Sequence, residues 1–400
     1  MLRLLKVLTG ISKAAERKHF VLKVAIVGCG KIADSHAAQI GRIPNCEIVA
    51  VCDREELMAR QLQERFPIGT CFSDVAEMLR VSRPDVVHIT TPPQSHYAIA
   101  RQCLANGSHV YVEKPFTINT AQAEELLAFA EARGLKVTAG HDDQFSHVAR
   151  RMRGLVASGY LGGAPLHLES HYGYELTGSY ARAFIGDDKH WLRQLPGGLL
   201  QNVISHGIAR VAEFFTSGSP RVIAHGFVSP ALRKLGETEI IDELRVILSD
   251  GDQTTAYFTF SSQMRPMLHQ LRVYGPKNGL LLDEDQQTLI RLDGNRLKSY
   301  AEKFVPPLRF AHQYFENVGT NLRTFLARDF HMKSGMKYLI ESFYQSVSEG
   351  GPLPVRYEEI LMISRIMDEI FDQVAKPLGN RIIRETDEVS LQGQQAANCR

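Results

Sequence analysis

The chain has 400 residues, of which 44% are hydrophobic and 22% charged. One hydrophobic core rarely serves a chain of that length, so two domains are expected. Its 46 basic and 44 acidic residues leave a formal net charge of +2, without the concentrated basic face that nucleic acid requires. No apolar run is long enough to cross a bilayer.

Six cysteines without a C-x-x-C pair suggest free thiols in a reducing, cytoplasmic setting. Within residues 1–20, Leu4, Leu5, Leu8, Ile11 and Ala15 recur at helical spacing between basic residues. The uninterrupted apolar stretch is too short for a signal peptide, and a helical arm is expected.

From residue 21 the pattern alternates. Apolar runs at Leu22–Val27, Glu47–Cys52, Asp85–Thr90, His109–Glu113 and Lys136–Ala139 are separated by helix-like sequence such as Arg54–Arg65, Ala98–Asn106 and Ala121–Arg133. This predicts a doubly wound parallel sheet covered on both faces, over residues 21–141. A long helix is expected over Phe145–Ser158. Segments with period-two alternation follow at Leu166–Leu176, Arg221–Val228, Ile240–Ser249, Thr254–Ser261 and Gln270–Tyr274. They predict a mostly antiparallel sheet with one face on helices and one face open, in a second α/β domain over 142–385. Late helices are placed at Met332–Glu349 and Tyr357–Val374, and residues 386–400 read as a polar tail.

The turn Gly28-Cys29-Gly30-Lys31-Ile32-Ala33 follows the strand KVAIV and opens a helix. Glycines there let the backbone approach a pyrophosphate, whose charge a helix N-terminus favours. Asp53 ends the next strand, where a carboxylate meets ribose hydroxyls and repels a 2′-phosphate. NAD is therefore expected as the cofactor, with NADP the second candidate because Arg54 is adjacent.

Three further motifs carry a resemblance: Thr90-Thr91-Pro92-Pro93-Gln94-Ser95-His96, Glu113-Lys114-Pro115, and Gly197-Gly198-Leu199-Leu200-Gln201-Asn202-Val203-Ile204-Ser205-His206. With the glycine turn, their order resembles the glucose–fructose oxidoreductase / inositol dehydrogenase / rhizopine catabolism (Gfo/Idh/MocA) family from about residue 22 to 380. The resemblance implies an N-terminal Rossmann domain and hydride transfer between a nicotinamide and a secondary alcohol or ketone of a sugar, cyclitol or sugar nucleotide. It also implies that Thr91, Pro92 and His96 line the cofactor, that Lys114 lies beside the nicotinamide and the reacting carbon with Glu113 holding the lysine or the cofactor, and that Pro115 is cis. A lysine in a closing cleft has its pKa lowered towards roughly 7–8, which suits proton exchange with an alcohol.

The family pairs an aspartate with a histidine four residues later, on one helical face. Here His206 holds the histidine position and Asn202 the aspartate position. Three assignments stay open: His206 acts, oriented by Asn202, with Lys114; Lys114 is the main acid/base while Asn202 and His206 bind substrate; or the chemistry has been lost.

His141, Asp142 and Asp143 follow the last strand of the first domain, where ligands of doubly wound folds collect. They are substrate-pocket candidates, as are His190 and Trp191 before the Gly-Gly turn. Tyr172, Tyr174 and Glu175 are further candidates. His167 and His171 share a strand face but lack a third ligand, so no metal site is assigned.

The partners expected are a small sugar-like molecule and other copies of the chain, as a homodimer or homotetramer through the open sheet. Two rival functions belong to the same resemblance. One is a glycoside hydrolase or lyase that retains NAD and recycles it. The other is a non-catalytic regulator that senses the nucleotide.

Overall fold

The run LKVAIV, rich in β-branched residues and buried on both faces, forms β1 (Leu22–Val27) at the centre of the first sheet. The computed structural model describes residues 21–176, 183–251, 253–294, 297–331 and 333–374. The expected arm (1–20) and tail (386–400) lie outside them.

After β1 come α1 (Lys31–Ile40), β2 (Cys46–Cys52), α2 (Glu56–Arg65), β3 (Ile68–Phe72) and α3 (Val75–Ser82). Then follow β4 (Val86–Ile89), α4 (His96–Ala105), β5 (His109–Val112), α5 (Thr120–Glu131) and β6 (Val137–Ala139). The six strands are ordered β3-β2-β1-β4-β5-β6 and pair in parallel. The order reverses between β1 and β4, so the crevice at their carboxyl ends is the ligand position of such sheets. Strand β3 falls outside the runs expected from sequence, because Gly69 and its half-exposed edge position blur its pattern. Local capping fixes the helix starts: Asp74 accepts from Glu77 N at 2.7 Å and Asn119 from Gln122 N at 2.9 Å.

The second sheet has seven strands. Helix α6 (His147–Ala157) leads to β7 (His167–Gly173). Then come α7 (Gly198–Val203), α8 (Ser205–Ala212), β8 (Arg221–Phe227), α9 (Pro230–Lys234), β9 (Glu243–Asp250) and β10 (Thr254–Ser261). Strands β11 (His269–Tyr274), β12 (Gly279–Asp283) and β13 (Thr288–Leu292) complete it. The order is β13-β12-β11-β7-β10-β9-β8, antiparallel except for the β7–β10 pair. Leu168, Val246 and Phe258 point to helices on one face. Ile223, Ile247 and Tyr257 stand exposed on the other, so the expected open face is present.

Three helices end the described chain: α10 (Ala301–Leu326), α11 (Ser334–Glu349) and α12 (Tyr357–Val374). The sequence reading missed α10, since Pro306 and Pro307 lie inside it and its apolar residues do not face a core.

The boundary expected at 141/142 does not separate the two cores. Helix α11 returns to the first sheet, and Met336, Leu339, Ile340 and Phe343 are buried in the first core. Helix α12 spans both: Ile360 packs in the first core, and Ile363, Ile366 and Ile370 in the second. No helix among the described residues is long and apolar enough to cross a membrane.

Candidate active site

The glycine turn has the shape a dinucleotide needs. Gly28 adopts φ +94°, and a Cβ there would sit 2.7 Å from Thr91 N, so only glycine fits. A Cβ added to Gly30 would meet nothing within 4 Å, which leaves open space at the start of α1. Gly30 caps α1 without any side-chain hydrogen bond, so the first-turn N–H groups at Lys31 and Ile32 are open to an anion. Asp53 follows β2. Its Oδ2 accepts from Cys29 N at 2.8 Å and its Oδ1 from Glu55 N at 2.9 Å, which ties this carboxylate to the turn itself. Arg54 is almost fully exposed, with Glu55 at 3.9 Å.

Across the turn, Thr90 Oγ1 donates to Gly28 O at 2.5 Å, and Thr91 and Pro92 form the rim before α4. His96 requires a correction. It is fully buried, with Nδ1 2.9 Å from Pro115 O and Nε2 2.8 Å from Thr91 O. Both ring nitrogens face carbonyls and the neutral ring donates to one of them, so His96 laces the two loops together and, fully buried, presents no nitrogen to the cleft. Burial also lowers its pKa.

Glu113 is turned inward and holds the lysine at its backbone N–H. Its Oε1 lies 2.9 Å from His36 Nε2 and its Oε2 accepts from Lys114 N at 3.1 Å. His36 Nδ1 lies 2.8 Å from His88 Nδ1, and His88 Nε2 is 2.8 Å from the Tyr344 hydroxyl. Burial alone would raise the Glu113 carboxyl, but His36 and Lys114 outweigh it and bring its pKa to about 2. A permanent negative charge thus sits under the lysine backbone. His88, inside an otherwise apolar strand, was the available sequence signal for this network.

The Lys114–Pro115 bond is cis, as the resemblance implies. Lys114 Nζ donates to the backbone carbonyl of Asn202 at 2.9 Å, a bond between the two domains. Burial lowers the lysine pKa, while Glu113 and Asp142 oppose that shift. Gln201 adds a second tie, donating from Nε2 to Ile118 O at 2.8 Å.

His206 has carboxylate neighbours that its own helix does not supply. Helix α7 ends at Val203 and α8 starts at Ser205, and Ile204 between them keeps a helical conformation, with its N–H bonded to Leu200 O at 2.9 Å. The carboxylates beside the imidazole come instead from the turn after β6: His206 Nδ1 lies 3.9 Å from Asp142 Oδ1 and 3.8 Å from Asp143 Oδ2. Asn202 contributes its carbonyl to Lys114. Burial lowers the His206 pKa to about 4, against the pull of Asp143, which leaves a neutral ring at neutral pH. Tyr172 stacks near it, with ring centroids 6.3 Å apart and planes at 24°.

Asp142 and Asp143 divide their roles. Burial raises Asp142, opposed by Lys333 at 3.8 Å. Asp143 is held low despite burial, by His206 and by Arg210 at 3.3 Å. Lys333 and Arg210 carry no motif, and only the folded arrangement brings them to the site. His141 has a pKa lowered by burial to about 3, and both of its ring nitrogens lack a hydrogen-bond partner. Ser205 Oγ and His206 Nδ1 share that condition, and His141 and Ser205 line one cleft with Pro115 and Gln201.

Ligand atoms of Asp142, Asp143 and His206 lie within 4.8 Å of one another, a grouping that could hold a metal. Lys333 and Arg210 already neutralise the two carboxylates, so the cluster suits proton transfer better than a cation. His190 and Trp191 stand beside the nucleotide rim, where Gln94 Nε2 donates to Trp191 O at 2.7 Å. Glu175 pairs with Arg265 at 3.0 Å, and His167 Nδ1 lies 2.8 Å from Thr255 Oγ1 on the open sheet face.

A parallel six-stranded sheet with an open glycine turn and Lys114 at its carboxyl edge meets a second domain whose helix α8 carries His206, and together they form a two-domain fold with a Rossmann-type dinucleotide-binding half. Residues 22–141 match the model of the oxidoreductase family with an NAD-binding Rossmann fold. This stretch resembles the NAD-binding domain of the Gfo/Idh/MocA family.

The chain is 33% identical over 142 residues to D-glucoside 3-dehydrogenase of Escherichia coli (strain K12). That match covers 35% of this chain and 40% of the relative's length. Among solved structures, the UDP-N-acetylglucosamine 3-dehydrogenase GnnA from Acidithiobacillus ferrooxidans superimposes with a TM-score of 0.67 at 18% identity, covering 88% of this chain and 97% of that one. The WlbA dehydrogenase from Bordetella pertussis, in complex with NADH and UDP-GlcNAcA, gives 0.70 at 14% identity, covering 88% and 95%. At such identities these two structures establish the shared fold.

Proposed function

We propose that the chain is an NAD(P)-dependent oxidoreductase acting on a secondary alcohol or ketone of a sugar, cyclitol or sugar nucleotide. The observation that carries this reading is the convergence of Lys114 with three buried polar groups that have no hydrogen-bond partner: His141, Ser205 and the Nδ1 of His206. Buried polar groups are normally satisfied, so unpaired ones in a cleft mark the place of a hydroxylated ligand. The relatives' names, a glucoside and a nucleotide-sugar dehydrogenase, support that substrate class.

The residues present fit a dinucleotide: the open α1 N-terminus takes the pyrophosphate and Asp53 the ribose hydroxyls. The preference is for NAD, and exposed Arg54 keeps NADP as the second candidate. A bound nicotinamide supplies the hydride acceptor or donor. Lys114 holds or releases the hydroxyl proton at Nζ, with its pKa lowered by burial and its position fixed by the Asn202 carbonyl. His206, neutral and facing Asp143, passes that proton on. Asp142, His141 and Ser205 orient the substrate hydroxyls.

Copies of the chain are proposed to meet through the open face of the second sheet, where Ile223, Ile247 and Tyr257 are exposed. The free thiols of Cys29, Cys46, Cys52, Cys71 and Cys103 support a cytoplasmic setting.

The test is calorimetric titration with NADH and NADPH, followed by a screen of sugars and sugar nucleotides for absorbance change at the nicotinamide band. Tight NADH binding with weak NADPH binding is expected. Binding of neither nucleotide would refute the reading.

A further inference from the structure

Helix α10 packs inside out. Its buried residues are Gln313 and Asn317, and their amides bond the edge strand β13. Arg291 N donates to Gln313 Oε1 at 2.7 Å, and Gln313 Nε2 donates back to Arg291 O at 3.1 Å. Leu289 N donates to Asn317 Oδ1 at 3.1 Å, and Asn317 Nδ2 to Leu289 O at 3.0 Å. Four residues along a helix rise about 6 Å, close to the ~6.7 Å between alternate strand residues, so two amides continue the ladder. The edge is closed by polar side chains, and the apolar side of the helix faces outward.

That outward side is regular. Leu308, Val318, Leu322 and Phe325 are each between 56% and 70% exposed, and Phe315 is 76% exposed. With Ala311 they alternate by three and four residues beyond the Pro306–Pro307 pair. A 3.5-residue repeat is the seam of a helix pair, whereas a surface helix on lipid carries a broader apolar face with a basic rim. Here Arg291 pairs with Glu316 at 3.1 Å and Arg309 with Asp293 at 3.0 Å, so the charges beside the middle of the seam are neutralised within the chain.

We propose that α10 is an interface between two copies of this chain, paired antiparallel about a twofold axis near Glu316 and Asn317. That axis sets Phe315 against the partner's Val318, Ala311 against the partner's Leu322, and Leu308 against the partner's Phe325. Large side chains meet smaller ones along the seam. A parallel pair would instead set Phe315 against its own copy and leave a gap at Ala311. With Phe304 included, the exposed stripe offers on the order of 600 Å² per copy, which doubles to the lower range of a specific interface. This face is separate from the open sheet face. Two such twofold contacts would build a tetramer.

The experiment is light scattering on the purified chain at micromolar concentration, for wild type, Phe315→Glu and Leu322→Glu. Each variant should halve the particle mass while keeping its far-ultraviolet circular dichroism. The Ala311→Cys/Leu322→Cys variant should link two copies on mild oxidation, and Ala311→Cys alone should link none beyond the wild-type background. An unchanged mass in both variants, a monomeric wild type, or a double-cysteine variant that does not link would overturn the proposal. So would wild type that is monomeric and sediments with phosphatidylserine vesicles, since the stripe would then be a lipid-binding face.

Discussion

The ring of His206 faces Asp143, with Nδ1 3.8 Å from Oδ2. The carboxylate beside the imidazole therefore comes from the turn that ends the first domain's sheet, and the helix carrying the histidine does not supply it. This changes what Asn202 is expected to do. Because Asp143 already places an ionised carboxylate at the ring, Asn202→Asp should bring no gain in turnover. Asp143→Asn should cost roughly 10- to 100-fold in kcat and move the pH profile, since the charge that favours the imidazolium is gone. A tenfold gain in Asn202→Asp would restore the helix-borne pairing.

Lys114 and His206 separate by degree. Lys114→Ala removes the group nearest the domain seam and should reduce kcat by about 10³-fold or more. His206→Ala should retain a measurable fraction. Equal and complete loss in both would show that neither acts as the chief proton carrier. Calorimetry with NADH should give similar affinities for the two variants.

The two turn glycines should fail in different ways. The side chain of Gly30→Ala meets nothing within 4 Å, so the protein should melt as wild type does while NADH affinity falls at least tenfold. Gly28→Ala should lose both affinity and stability, by about 1–3 kcal/mol, because of its positive φ and the contact with Thr91 N. Unchanged NADH binding in Gly30→Ala would place the pyrophosphate elsewhere.

Glu113 gives a pH test. Its folded pKa is about 2 against an ordinary value of 4.5, so its contribution is full above pH 4.5 and is lost as pH falls towards 2. A shift of that size is worth about 3 kcal/mol at ~1.4 kcal/mol per pH unit. Glu113→Gln should lower the melting temperature at pH 7, and the difference from wild type should shrink between pH 5 and pH 3. A constant difference across that range would mean that charge on Glu113 is not what stabilises the His36 contact.

Much of the nucleotide half was legible in the chain, because a glycine turn after a β-branched strand has few other uses. The cis bond after Lys114 came with the family motif. His206 was found for the same reason, with the part played by Asn202 left open, and the approach of Asp143 to the ring depends on packing between domains. His96 and Glu113 stood in the right motifs, and their burial turned them to structural use. Helix α10 was hidden by its prolines and by apolar residues that face away from any core. Lys333 and Arg210 sit in unremarkable sequence, and long-range contact alone makes them part of the site.

The return of α11 to the first sheet has a consequence for how the molecule melts. A fragment ending near residue 141 would leave the surface against Met336 and Phe343 open to water, so it is expected to fold poorly on its own. With α12 threaded through both cores, heat should disrupt the two halves in a single cooperative step. Nucleotide bound at one end should then protect amide hydrogens at the far end of the second sheet.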